Sequence, residues 1–150
     1  LEFRRVLFRS VARMSAFLDI GAERMVASNP GSHLFPTREL PFGYGFGELP
    51  ESLSDDKRIR SYLAAPLTIY LGTDDDHPDE YFDDSAEAML QGDGRYQRGK
   101  RCFELAQQLA KSKGWPFHWR IVEAEGVGHD HTAMFNHPQC ESALFGQAEN

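Results

Sequence analysis

The run Leu67 to Leu71 (LTIYL) constrains this chain more than any other stretch. It is short, apolar throughout and β-branched, without the alternation of a strand wetted on one face. Such a strand is stable when both faces of its sheet are covered, which predicts a parallel sheet between helix layers. The flanking sequence supplies the other elements. Val11 to Leu18 (VARMSAFL) has helical composition and Gly21 follows as a stop; Arg24 to Ser28 (RMVAS) reads as a buried strand ending at Asn29, Pro30 and Gly31. Ser54, followed by Asp55 and Asp56, predicts an N-cap for a helix that ends before Pro66.

Directly after the strong strand comes the acidic loop GTDDDHPDEYFDD. A helical region begins near Ser85, breaks at Gly92 and Gly94, and resumes to about Lys113, with Cys102, Leu105, Ala106 and Leu109 as one apolar stripe. Lys111, Lys113 and Gly114 mark its end. Phe117 to Val122 (FHWRIV) alternates and predicts a strand nearer the sheet edge, one face wetter than the other. The turn Glu125 to Gly128 precedes His129, and a last helix is predicted over Thr132 to Phe145. A strand, a crossover helix and a second strand set the two strands parallel, with their carboxyl ends together. Asp75 and His129 both follow such an end, where ligands and chemistry gather in open α/β sheets.

Composition narrows the function classes. The 150 residues carry 16 Lys plus Arg against 23 Asp plus Glu, net −7, and 41% are hydrophobic, as in one acidic globular domain. Scattered basic residues within an acidic whole argue against nucleic acid as a partner. No apolar run approaches the roughly 20 residues that span a bilayer, so a membrane partner is not expected. Cys102 and Cys140 form neither a disulfide framework nor a C-x-x-C pair; Cys102 belongs to the helix stripe. No phosphate loop or dinucleotide fingerprint implies a cofactor, since GYGFG at Gly43 to Gly47 lacks the strand before and the helix after it.

The first ten residues, LEFRRVLFRS, read differently from the rest. They match the translation of a sequencing-library adaptor, CTG GAG TTC AGA CGT GTG CTC TTC CGA TCT, and are set aside as a non-native segment. Without their three Arg and one Glu, residues 11–150 hold 13 basic and 22 acidic side chains, net −9.

Two phrases carry a family resemblance: IYLGTDD (Ile69 to Asp75), a buried strand followed by Gly and then Asp, and EGVGHD (Glu125 to Asp130), a Gly-bounded turn presenting a His. From about Val11 to Gly146 the chain resembles the C-terminal part of the α/β-hydrolase fold, whose members carry a nucleophile, an acid and a histidine in that order. The GRYQRGKRCFELAQQLA helix is similar to bacterial esterases and polyhydroxyalkanoate depolymerases. The resemblance implies a mostly parallel, incomplete sheet with crossover helices, and acyl-enzyme chemistry on carboxylic esters. It makes His129 the general base and later general acid, and Asp75, third after Gly72, its orienting carboxylate; Asp74 ranks second and Asp76 also competes. The chemistry needs these residue types because a hydroxyl requires an imidazole to take its proton, and the imidazole requires a carboxylate to fix its tautomer. Gly126 and Gly128 are expected to allow the sharp path that returns the imidazole to the sheet.

The family's G-x-S-x-G elbow occurs nowhere in the chain, and Ser15, Ser28 and Ser32 lack Gly flanks. The oxyanion-hole donors of such a site accompany the elbow and an earlier loop. The expectation is therefore the acid- and His-bearing part of a hydrolase domain, inactive alone, with an open apolar edge beside Leu67 to Leu71. The Gly- and Pro-broken segment Gly31 to Pro50 is expected to be a packed loop, or an apolar pocket wall or lid offering Phe42, Tyr44 and Phe46 to a small ester substrate. Two rival readings stand beside this one. His129 and His131 could share a metal, with Asp74, Asp76, His77 and Asp79 nearby, although spacing fixes no third ligand; calcium in the acidic loop lacks the required Gly. A hydrolase-like domain without a nucleophile also suits a non-catalytic binding module.

Overall fold

The computed structural model describes residues 3–19 and 21–146. Leu1 and Glu2 of the adaptor-like decapeptide lie outside the described residues, as do residues 147–150. Helix α1 (Phe3–Phe17) runs through Ser10 without a break, so the helix expected at Val11 is the second half of a longer one. After it come β1 (Met25–Ser28), α2 (Glu51–Ser54), α3 (Asp56–Leu63), β2 (Leu67–Gly72), α4 (Ala86–Met89) and α5 (Arg95–Lys113). Strand β3 (Arg120–Ala124) and helices α6 (His131–Asn136) and α7 (Gln139–Phe145) complete the order.

The three strands form one parallel sheet in the order β1-β2-β3, with Ala27, Ile69 and Ile121 level with one another. Every residue of β2 is buried, as its unbroken apolar run demands. Leu67, Ile69 and Leu71 face a core shared with Ala12 and Ala16 of α1, Ile59 and Tyr62 of α3, and Cys102 and Ala106 of α5. Tyr70 faces the other way, with Val122 and Ala124 of β3, against Met134 of α6 and Ala143 of α7. Each of the fully buried Leu and Ile side chains contributes about 1.5–3 kcal/mol, so β2 is the centre of the fold energetically as well as spatially. Gly99 lets α5 lie close on this strand, because a Cβ there would meet both Leu71 methyls at 2.7 Å.

The structure corrects several expectations. Strand β2 has a partner on each side, so the edges without a strand, among the described residues, are the outer sides of β1 and β3 rather than the side of Leu67 to Leu71. The third strand begins at Arg120, later than Phe117; it lies at the sheet edge with one face wetter, as expected, but the wetter face is that of half-buried Ile121 and Glu123, while Val122 and Ala124 are buried under α7. Asp55, not Ser54, caps α3 by accepting the Arg58 N–H at 2.7 Å; Ser54 closes the short turn α2 before it. The stripe of α5 runs through Cys102, Ala106 and Ala110, whereas Leu105 is exposed. The final helix is two, because Pro138 holds the preceding His137 extended at ψ 141°.

The segment from Gly31 to Pro50 has no helix or long strand but is tightly tied. Phe35 and Phe46 N–H groups donate to Tyr44 and Thr37 carbonyls at 2.8 and 2.7 Å. The buried Gln91 amide accepts the His33 N–H at 2.9 Å and donates to the His33 and Tyr44 carbonyls. Among the described residues no helix is long and apolar enough to cross a membrane.

Candidate active site

The site forms where β2 and β3 end side by side. Gly72 and Ala124 are opposite each other in the register, and both strands turn outward there. The two emerging loops are joined by their backbones: the Thr73 N–H donates to the Ala124 carbonyl and the Asp74 N–H to the Val127 carbonyl, both at 3.0 Å. The Gly126 N–H adds a bond to the Thr73 hydroxyl at 2.9 Å. Contact is so close that a Cβ on Gly72 would stand 2.2 Å from the Val127 oxygen. From β1, Asn29 braces both loops, accepting the Gly72 N–H at 2.7 Å and donating to the Gly128 carbonyl at 3.2 Å. It holds a left-handed φ of 40°, a conformation Asn tolerates better than most residues.

This frame brings Asp75 and His129 together across 54 positions of sequence, His129 Nδ1 lying 2.8 Å from Asp75 Oδ2. The Asp75 side chain is 1% exposed and that of His129 is 30% exposed, so the carboxylate is sealed beneath an accessible ring. An ionised carboxylate only accepts, so Nδ1 carries the proton and the lone pair stays on Nε2. Asp74, one residue earlier, is exposed and accepts from its neighbour Thr73. Asp76 is also exposed, and the Gly94 position has no room for a side chain because a Cβ would meet Asp76 Oδ1 at 2.6 Å. Of the two glycines expected to shape the His turn, Gly126 takes a left-handed φ of 72°; Gly128 does not need to be Gly on that ground. Asp130 caps α6 by accepting the Thr132 and Ala133 N–H groups at 2.8 and 3.1 Å, which holds its carboxyl below the ordinary range and fixes the residue after the imidazole.

Sequence reading missed the other half of the site. Arg95, the first residue of α5, is 1% exposed and donates to Asp75 Oδ1 at 3.1 Å and to Asp79 Oδ1 at 2.7 Å. Burial pushes the Asp79 carboxyl up, but hydrogen bonds from Arg95 and the Tyr81 N–H outweigh it and hold the group below its ordinary range. The Phe82 ring lies under two guanidiniums, 5.2 Å from Arg95 and 4.4 Å from Arg98. Arg98 is fully buried and donates to the Gly92 and Gly31 carbonyls, both at 2.8 Å.

The aromatic segment is split. Phe46 is fully buried in the core, its ring 5.7 Å from Tyr62 and 5.6 Å from Phe17. Tyr44 bonds Asp83 and Ser85, and Phe42 is 52% exposed against the edge of Phe17. His131 begins α6 and is exposed; among the described residues no group of three or more His, Cys, Asp or Glu side chains converges on one point. Cys102 is buried, which pushes its thiol far up. An apolar hollow of about 70 Å³ lies between β1, α6 and α7, and neither Asp75 nor His129 lines it.

No protein-family model matches the chain, and no curated protein does. Solved structures do. The chain is similar to poly(aspartic acid) hydrolase-1 from Sphingomonas sp. KT-1, with a TM-score of 0.76 and 29% identity over 83% of this chain and 47% of that one. It is similar also to LpqC, a poly(3-hydroxybutyrate) depolymerase from Bordetella parapertussis, with a TM-score of 0.76 and 30% identity over 90% of this chain and 44% of that one. The chain thus spans less than half the length of either structure. Its parallel sheet, crossover helices and paired loops are those of a partial α/β-hydrolase fold.

Proposed function

We propose that this chain is the acid- and histidine-bearing part of a serine hydrolase acting on carboxylic esters through an acyl-enzyme. The observation that carries the reading is the 2.8 Å contact between Asp75 Oδ2 and His129 Nδ1 at the ends of two adjacent parallel strands. In this reading His129 Nε2 takes the proton of a serine hydroxyl as it attacks the ester carbonyl, and gives that proton to the departing alkoxide. Asp75 holds the ring in the Nδ1–H tautomer and stabilises the imidazolium that forms. Water then attacks the acyl-enzyme with the same assistance. The serine and the oxyanion donors are not contributed by these residues, because no Gly-flanked Ser occurs among them. That one of the similar structures is a depolymerase of a polyester supports the ester as the bond attacked.

Hydrolysis of p-nitrophenyl butyrate tests the reading. The 150-residue chain alone is expected to show no turnover above the rate without protein. The product of a longer reading frame that supplies a Gly-flanked Ser before Val11 is expected to turn over, and H129A and D75N in it to lose on the order of 10⁴-fold in kcat. His129-dependent turnover by the present chain, or full activity of H129A in the longer one, overturns the proposal.

A further inference from the structure

Asp75 has two carboxylate oxygens, and the imidazole uses one of them. The other, Oδ1, faces the Arg95 guanidinium at 3.1 Å, and both side chains are almost wholly sealed from water, at 1% and 2% exposed. A carboxylate buried to that degree stays charged only if a counter-charge and hydrogen bonds replace the lost solvent. Arg95 is itself fixed at three points: its second nitrogen bonds Asp79 at 2.7 Å, its plane lies over Phe82, and its backbone starts α5 behind Gly94. The adjoining Tyr96 N–H donates to the Asp75 carbonyl at 3.2 Å, so the first turn of α5 grips both the backbone and the side chain of Asp75.

Resting on the Asp75–His129 reading above, we propose that Arg95 is a positioning residue for this pair. It anchors Oδ1 so that Oδ2 stays aimed at Nδ1, and thereby selects the imidazole tautomer that leaves Nε2 free to accept a proton. Asp79 holds the guanidinium from its far side and offsets its charge, so the group binding His129 remains net negative. Without Arg95 nothing fixes Oδ1, the carboxylate turns away from Nδ1, and the neutral imidazole returns to the Nε2–H form that prevails in water.

The test needs no nucleophile and uses the chain as it is. In ¹⁵N spectra of the His129 ring, recorded above its titration, the unmodified protein shows the Nδ1–H pattern and D75N shifts to the Nε2–H pattern. R95M and R95Q are expected to shift the same way, while R95K, which keeps a charge beside Oδ1, retains the Nδ1–H pattern. R98M removes an equally buried arginine one turn along, which donates to the Gly92 and Gly31 carbonyls and to the Met89 sulfur, and is expected to melt earlier yet keep the wild-type ring pattern. Should R95M unfold, R95Q and R95K carry the comparison. If D75N shifts the ring and the folded R95 variants that lack charge do not, Arg95 has only a structural role and the inference falls. If D75N leaves the ring unchanged, the underlying Asp75–His129 reading falls instead.

Discussion

Gly72→Ala is the most informative single change outside Asp75 and His129 themselves. The added Cβ would stand 2.2 Å from the Val127 oxygen and 2.9 Å from its carbonyl carbon, against an ordinary contact of 3.4 Å or more. The two strand ends must therefore separate by about 1.2 Å. Relief by side-chain rotation is closed, because both clashing atoms are backbone. Separation on that scale stretches the 3.0 Å bond from the Asp74 N–H to the Val127 carbonyl beyond hydrogen-bonding range. Losing that bond costs about 1 kcal/mol and the forced overpacking about 1–3, giving a destabilisation of about 2–4 kcal/mol. In a domain of this size that lowers Tm by roughly 4–16 °C. Circular dichroism melts measure the first effect, and the ¹⁵N pattern of the His129 ring reports whether the 2.8 Å contact to Asp75 survives. Gly128→Ala is the matched comparison, since its Cβ meets nothing nearer than 3.7 Å, and it is expected to cost less than about 1 kcal/mol. An alanine at Gly72 that melts within about 1 °C of the unmodified protein and keeps the ring pattern would refute the account of the joined loops.

Other expectations can be checked with the same material. Tyr62→Phe removes the hydroxyl that donates to the buried Leu34 carbonyl at 3.0 Å and leaves that oxygen only the weak, 3.7 Å Cys102 thiol donor; urea unfolding should show a loss of about 1–2 kcal/mol. Burial pushes the Tyr70 phenol up to about 12, and the hydrogen bond to Glu123 does the same for Tyr96. A pKa raised on folding from 10 contributes stability that is whole below pH 10 and is lost between about pH 10 and 12, so alkaline unfolding should begin there and Y96F should reduce the pH dependence. Among the described residues no strand pairs with the outer side of β1, and exposed Phe135, Leu144 and Phe145 lie on α6 and α7. Sedimentation should show association that grows with concentration; a monomer throughout would count against an open edge.

What was legible in the sequence was local and periodic. The run at Leu67 was readable as a fully covered strand because five consecutive residues without a charge, β-branched or apolar, admit few alternatives, and the acid loop and His turn followed from its end. Choosing among Asp74, Asp75 and Asp76 was a different problem. Three identical side chains in a turn are told apart only by which one the backbone points inward, and no composition encodes that. Arg95 and Arg98 were lost among the exposed bases of the GRYQRGKR stretch. A signal did exist: they precede Gly99, Cys102, Ala106 and Ala110 at helical spacing, on the buried side of α5. An arginine on an apolar stripe announces a buried partner. The cap at Asp55 was misplaced to Ser54 because both residue types cap helices, and the break at Pro138 was missed although the proline signalled it.

The bonds that join Thr73 and Asp74 to Ala124 and Val127 have a kinetic meaning as well as a geometric one. Two surface loops normally open independently, each at its own free energy, and exchange their amide hydrogens within moments. Here the amides of Gly72, Thr73, Asp74 and Gly126 are donors across the seam between the loops or to the Asn29 brace, so none can open without loosening the rest. These amides should therefore exchange with deuterium at one common rate, as a single cooperative unit rather than two. The Asp75–His129 contact mounted on such a unit is then held by the seam as a whole, and opens only when the whole unit does.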